Sequence, residues 1–194
     1  MTPSSPAPLS STVGGGCQPR EKFPALAPVI DYLATLRGRA CLDTLTRILT
    51  ELRVGRADIA ASCVFGTKGY RRNTIARDEW YELLANCWHS GHRTPIHDHR
   101  GVSCAFKVVE GTGTEIRFRE TPSGLICPSE TVAMPVGYVC AADDHDIHQV
   151  ANMEQAGKDL VTLHIYSPPI TKMHTYEWGA CSTAEAGDCY DTPC

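Results

Sequence analysis

GHRTPIHDHRGVSCAFKVVEG, residues 91–111, is the stretch on which the fold turns. Gly91, Pro95, Gly101 and Gly111 cut it into two runs, 94–99 and 103–109, of strand length rather than helix length. His97 and His99 are two apart. Alternate side chains of a strand share a face, so both imidazoles point the same way and can chelate one ion. His148, in HDIHQVAN, lies in a later candidate strand, 147–151. A third imidazole from a neighbouring strand completes a facial three-nitrogen set that leaves about three positions open on an octahedral metal. With eight histidines in the chain a His-x-His pair also arises by chance, so the spacing needs support from its surroundings.

Outward from this stretch the texture is uniform from about residue 80. Short apolar runs at 80–88, 113–119, 124–127, 130–134, 138–141 and 159–166 alternate with Gly, Pro, Asn and Asp. Many short strands at close spacing predict a mainly β chain, an antiparallel sandwich or barrel. Before it lies a small helical segment, about 25–65. Val29, Leu33 and Leu36 follow one helical spacing, Leu42, Leu45, Leu49 and Leu52 a second, and a third short helix is expected over 58–64. Residues 1–20, rich in Pro, Ser and Gly, read as a flexible tail, 21–174 as one domain, and 175–194 as a weakly patterned C-terminal tail.

A chain of 194 residues suits one domain, and 42% hydrophobic with 21% charged residues excludes global disorder. A formal net charge of −4 argues against nucleic-acid binding. No apolar run approaches the ~18 residues of a membrane span, and residues 1–19 lack the basic start and apolar core of a signal peptide. The expectation is a cytoplasmic monomer with no membrane partner. None of the ten cysteines forms Cys-x-x-Cys, which argues against a zinc ribbon or a thioredoxin-type pair, and reduced thiols are expected.

LVTLHIYSPP, residues 160–169, is the second informative stretch. Leu160, Thr162, His164 and Tyr166 alternate with Val161, Leu163 and Ile165, giving one face with polar groups and one apolar face, as for a strand lining a site. His164 and Tyr166 share a face, so the imidazole can bond the phenol or a nearby hydroxyl.

Gly91, five residues, His97-x-His99, and Gly111 after six residues beyond Cys104 reproduce the first motif of the cupins. Cys104 stands where most cupins place a Glu ligand. His148 followed by Asn152 resembles the end of the second cupin motif; that register favours His148 over its competitor His145 as third ligand. The resemblance implies a cupin-type β-sandwich or barrel. Three neutral imidazoles leave a divalent ion its full charge, which favours anionic ligands such as a thiolate. HDHRGVSC, HQVAN and LHIYSPP together resemble the thiol dioxygenases, most closely cysteine dioxygenase, over about residues 70–170.

That resemblance implies one Fe(II) held by His97, His99 and His148, and conversion of L-cysteine and O2 to cysteine sulfinic acid. It implies that Arg72 grips the substrate carboxylate beside Tyr70, that Cys104 and Tyr166 become joined by a thioether, and that His164 orients the tyrosine. The family's Ser-x-His-x-Tyr relay reads Thr162-x-His164-x-Tyr166 here, and Trp88 matches a pocket-wall tryptophan or packs in the core. Arg72, in the Gly-punctuated segment 66–73 that reads as a loop, favours cysteine over 3-mercaptopropionate, whose dioxygenases tend to carry Gln at that position. Oxidation of another small thiol and a non-catalytic metal-binding cupin are the alternatives. His89 and His92 read as surface or locally bonded residues, and His174 receives no role.

Overall fold

The computed structural model describes residues 18–142, 146–171 and 173–178. Most of the expected N-terminal tail, His145 and the end of the C-terminal tail lie outside these residues. The chain opens with α1 (Pro19–Lys22), α2 (Ala27–Ala34) and α3 (Leu42–Glu51). Ten strands follow: β1 (Arg71–Arg77), β2 (Glu82–Trp88), β3 (Ile96–His97), β4 (Ser103–Glu110), β5 (Gly113–Glu120), β6 (Ile126–Met134), β7 (Val139–Ala142), β8 (His148–Ala151), β9 (Leu160–Ser167) and β10 (Thr175–Tyr176). They form two five-stranded antiparallel sheets, in the orders β1-β2-β9-β4-β7 and β10-β3-β8-β5-β6. The chain crosses from one sheet to the other at nearly every step after β2, the connectivity of a double-stranded β-helix. The fold is the expected mainly β, cupin-type sandwich with a small N-terminal helical segment.

Side-chain alternation divides the core in two. Leu83, Ala85 and Cys87 of β2 and Val161, Leu163 and Ile165 of β9 point outward and bury themselves against Val29, Leu33, Leu45 and Leu49 of the helices. The helical spacing seen in the sequence is thus the face that covers the first sheet. The other face of β2 and β9 looks between the sheets, where Trp88, Phe106, Val108, Met134, Val150 and Leu160 form an apolar floor. β9 is buried along its whole length for this reason. Gly111, at φ +78°, turns β4 into β5 under β9; a Cβ there would strike the Asp159 carbonyl oxygen.

Lys107 joins the helical layer to the sheet. Its ammonium group, on a residue 7% exposed, donates to the Leu49 carbonyl at 2.8 Å. The last carbonyls of a helix lack intrahelical partners and carry its negative pole, so a cation there is doubly favourable. Lys107→Met is expected to cost about 1.5–3 kcal/mol and lower Tm by roughly 3–12 °C. An unchanged melt would show that water already serves that carbonyl.

Several expectations change. Residues 71–77 form an edge strand, not a loop: β1 pairs only with β2, so it needs few apolar residues and reads as polar. The third helix is a 3₁₀ turn, Arg56–Ser62. The runs 124–127 and 130–134 merge into β6, a sheet edge where Pro128 forfeits no ladder bond on its open side. The chain beyond Pro169 returns as β10, which pairs with β3. The 94–99 strand shrinks to Ile96–His97, so His99 sits past the ladder, at a turn closed by a bond from the Val102 N–H to its carbonyl.

Candidate active site

The three histidines nevertheless converge. His97 on β3 is the register partner of His148 on β8, and His99 follows two residues on. One ring nitrogen from each lies within 4.8 Å of the others, and all three residues are at most 4% exposed. The His97 Nδ1–H donates to the Pro95 carbonyl at 2.9 Å, and the His148 Nδ1–H donates to Glu115 Oε1 at 2.8 Å. Both rings therefore present an Nε2 lone pair. Nε2 of His97 stands 3.2 Å from Nε2 of His99, and His148 Nε2 has no hydrogen-bond partner among the described residues. Ligands ~2.1 Å from one ion at right angles lie ~3 Å apart, so the spacing fits a shared metal. Burial pushes the His97 imidazolium down to about 3, with His148 adding to the shift, and burial lowers His99 well below its ordinary value. Neutral rings need lose no proton to bind a metal.

Glu115, missed in the sequence, holds the third ring. Its fully buried carboxylate also accepts from Arg117 Nε at 3.0 Å. The only sequence signal was an acid on the inward face of an otherwise ordinary strand, GTEIRFRE. Glu115, Asp146 and His148 also cluster, but His148 meets Glu115 by donating a hydrogen bond. Asp98, between the two histidines, points the other way. It accepts from the Tyr176 hydroxyl at 2.6 Å and Arg100 Nε at 2.9 Å, and pairs with His174 Nδ1 at 3.2 Å. His174, given no role from sequence, thus helps fasten β10 to the histidine-bearing segment.

The opposite sheet supplies the rest of the cavity wall. Tyr166 on β9 is the register partner of Cys104 on β4 on one side and of Glu82 on β2 on the other. The Thr162–His164–Tyr166 relay forms: His164 Nε2 lies 2.9 Å from the Thr162 hydroxyl and Nδ1 3.1 Å from the Tyr166 hydroxyl. Trp88 Nε1–H, which can only donate, gives its proton to Thr162 Oγ1 at 3.1 Å. That leaves the Thr162 hydroxyl able to donate to His164 Nε2; in that tautomer Nδ1–H donates to the phenol oxygen and the phenol O–H faces the cavity. The extra methyl of threonine does not disturb the relay. Burial lowers His164 well below its ordinary value, and burial with the Cys104 thiol nearby raises Tyr166 well above its own. The imidazole stays neutral and the phenol keeps its proton. Burial likewise raises the Cys104 thiol, so it is not a thiolate.

Arg72 lies over the Tyr166 ring, 5.1 Å from its centroid. Its Nη2 donates to Glu82 Oε2 at 3.0 Å, Arg77 pairs with Oε1 at 3.6 Å, and Thr74 donates to Oε1 at 3.2 Å. Two guanidinium groups thus share one carboxylate that is 1% exposed. Glu82 was missed because WYELLANCW reads as a plain apolar strand. Tyr70 stacks on Trp88 with centroids 4.2 Å apart, so Trp88 is both core and cavity wall. His89, on the surface, pairs with the sequence-distant Asp159 at 2.8 Å, and His92 Nδ1 accepts locally from the His89 N–H at 3.1 Å. The six cysteines of the described residues are free thiols, and no described helix is long and apolar enough to cross a membrane.

Residues 24–178 match the family model of cysteine dioxygenase type I. Cysteine dioxygenase type 1 of Bos taurus is 28% identical over 140 residues, covering 70% of each chain. The protein of the same name from Homo sapiens is 29% identical over 112 residues, 56% of each chain. Among solved structures, a Klebsiella pneumoniae protein with a double-stranded β-helix domain superposes with TM-score 0.48 at 12% identity, covering 61% of this chain and 94% of that one.

Proposed function

The chain belongs to the cysteine dioxygenase type I family, and on that premise we propose that it is an iron-dependent thiol dioxygenase, oxidising L-cysteine with O2 to cysteine sulfinic acid. The observation that carries the reading is one buried cavity lined from one sheet by the three converging histidines and from the other by the Arg72 guanidinium group. An Fe(II) held by His97, His99 and His148 would favour the thiolate form of the substrate and bring thiol and O2 together.

The protein's own groups do the rest. Arg72, whose Nη2 is steadied by Glu82, presents at the cavity wall a planar fork of N–H donors, the geometry that matches a carboxylate. Tyr70 and Trp88 form a flat wall beside it. The Tyr166 phenol, protonated and aimed by His164, donates toward charge that develops on the reacting oxygen or sulfur. The apolar floor keeps bulk water from below.

Cys104 and Tyr166 face each other on one rung, where Cβ atoms lie roughly 4.5–5.5 Å apart, within reach of a sulfur-to-ring bond. The thioether is expected to form during turnover, with a cross-linked peptide pair lacking two hydrogens by mass, absent in Cys104→Ser. Separate peptides and a fully alkylatable Cys104 after turnover would remove the link and leave the iron site standing.

Oxygen uptake by iron-loaded protein, offered L-cysteine, 3-mercaptopropionate and cysteamine in turn, tests the reading. One O2 consumed per sulfinate formed, with cysteine preferred, is the expected result. Metal binding without thiol-dependent uptake would make the protein a binding cupin, and a preference for 3-mercaptopropionate would reassign the substrate.

A further inference from the structure

β2 turns Glu82, Leu84, Asn86 and Trp88 toward the space between the sheets. Glu82 is ion-paired, Leu84 packs in an apolar cluster, and Trp88 donates to Thr162. Asn86 is different. It lines the cavity, is 2% exposed, and its Oδ1 meets no donor among the described residues. Leaving a buried amide oxygen without a partner is unfavourable, and an apolar residue of similar size would avoid that cost. Ladder register places Asn86 directly between Arg72 on β1 and Thr162 on β9. The unpaired acceptor therefore lies on the same rung as the guanidinium group.

We propose that Asn86 determines specificity by accepting a hydrogen bond from the substrate's α-amino group. The inference rests on the reading that Arg72 takes a carboxylate. In an α-amino acid the amine is borne by the carbon next to the carboxylate, so a carboxylate on Arg72 brings the amine to the same part of the cavity as Asn86, and an amine that also ligates the metal keeps N–H bonds to donate. Arg72 selects for the acid and Asn86 for the amine, and the preferred class is small α-amino thiol acids. A thiol acid without the amine leaves Oδ1 buried and unpaired, and polar sites discriminate most strongly against a ligand that strands them in this way.

Calorimetric titration of the iron-loaded protein without oxygen, using L-cysteine and 3-mercaptopropionate, separates binding from turnover. Asn86→Leu is expected to weaken cysteine binding about tenfold and leave mercaptopropionate within about twofold. Asn86→Asp keeps the acceptor and is expected to keep the preference for cysteine. An equal loss for both thiols in Asn86→Leu, no loss for either, or a collapse of both in Asn86→Asp overturns the assignment; the last result would mean that Asn86 donates to the carboxylate. Oxygen uptake by the wild-type protein is measured alongside. Discrimination in binding without uptake would retire the dioxygenase reading while leaving Asn86 as the selector of the amine.

Discussion

If the proposed iron site is right, His148→Ala is expected to retain almost no iron and, with that, to lose thiol-dependent oxygen uptake. The chelate drops from three imidazoles to two, and the lost ring is the one whose Nδ1 is fixed by Glu115. Removing only an orienting partner of a metal-bound histidine costs roughly 10–100-fold in affinity, so removing the ring is expected to cost more than about 100-fold. Glu115→Gln, which keeps the ring and removes the carboxylate that orients it, is expected at about 10–100-fold. Iron per chain after gel filtration is the direct measure. Thermal melts of the metal-free proteins check folding, because His148→Ala leaves Glu115 buried with Arg117 as its remaining partner. His145→Ala is expected to hold its iron. If it loses iron while His148→Ala keeps it, the third ligand is assigned to the wrong histidine.

Arg72→Ala is expected to lower kcat/KM for L-cysteine by about 30–5,000-fold, equivalent to the ~2–5 kcal/mol lost when a desolvated charge pair loses one partner. The guanidinium group is 19% exposed at its side chain, so water screens it little. Glu82 still has Arg77 and Thr74 in the variant, so the sheet edge is expected to survive. Arg72→Lys keeps the charge without the planar fork and is expected to fall between the two. Cysteamine, which has no carboxylate for Arg72 to bind, is expected to be a poor substrate of the wild-type enzyme and to be affected little by either change. Equal turnover of cysteine and cysteamine by the wild-type protein would show that no carboxylate clamp operates.

Strand and helix periods carried much of the architecture in the linear sequence. The spacing of Leu45 and Leu49 marked the face of α3 that packs on the sheet, and the alternation in LVTLHIYSPP separated the helix-facing side of β9 from the cavity-facing side. β1 escaped notice because an edge strand is stabilised by backbone pairing with one neighbour, and RRNTIAR leaves little apolar pattern to read. β10 escaped for a similar reason: two residues long, it is held by β3 and by the Asp98 contacts of Tyr176 and His174.

The same division holds at the site. His97, His99, His148, Cys104, His164 and Tyr166 stood out because reactive side chains recurred at strand spacing within recognisable motifs. Glu82, Asn86 and Glu115 carried no such mark, since one acid or amide in a strand looks alike whether it faces solvent or a cavity. Ladder register and sheet packing decided that: they set Glu82 against Arg72, Asn86 between Arg72 and Thr162, and Glu115 beneath His148. Local periodicity is encoded by neighbouring residues and survives in one dimension. The pairing of buried polar groups joins strands distant in sequence, and it exists only once the two sheets have closed on each other.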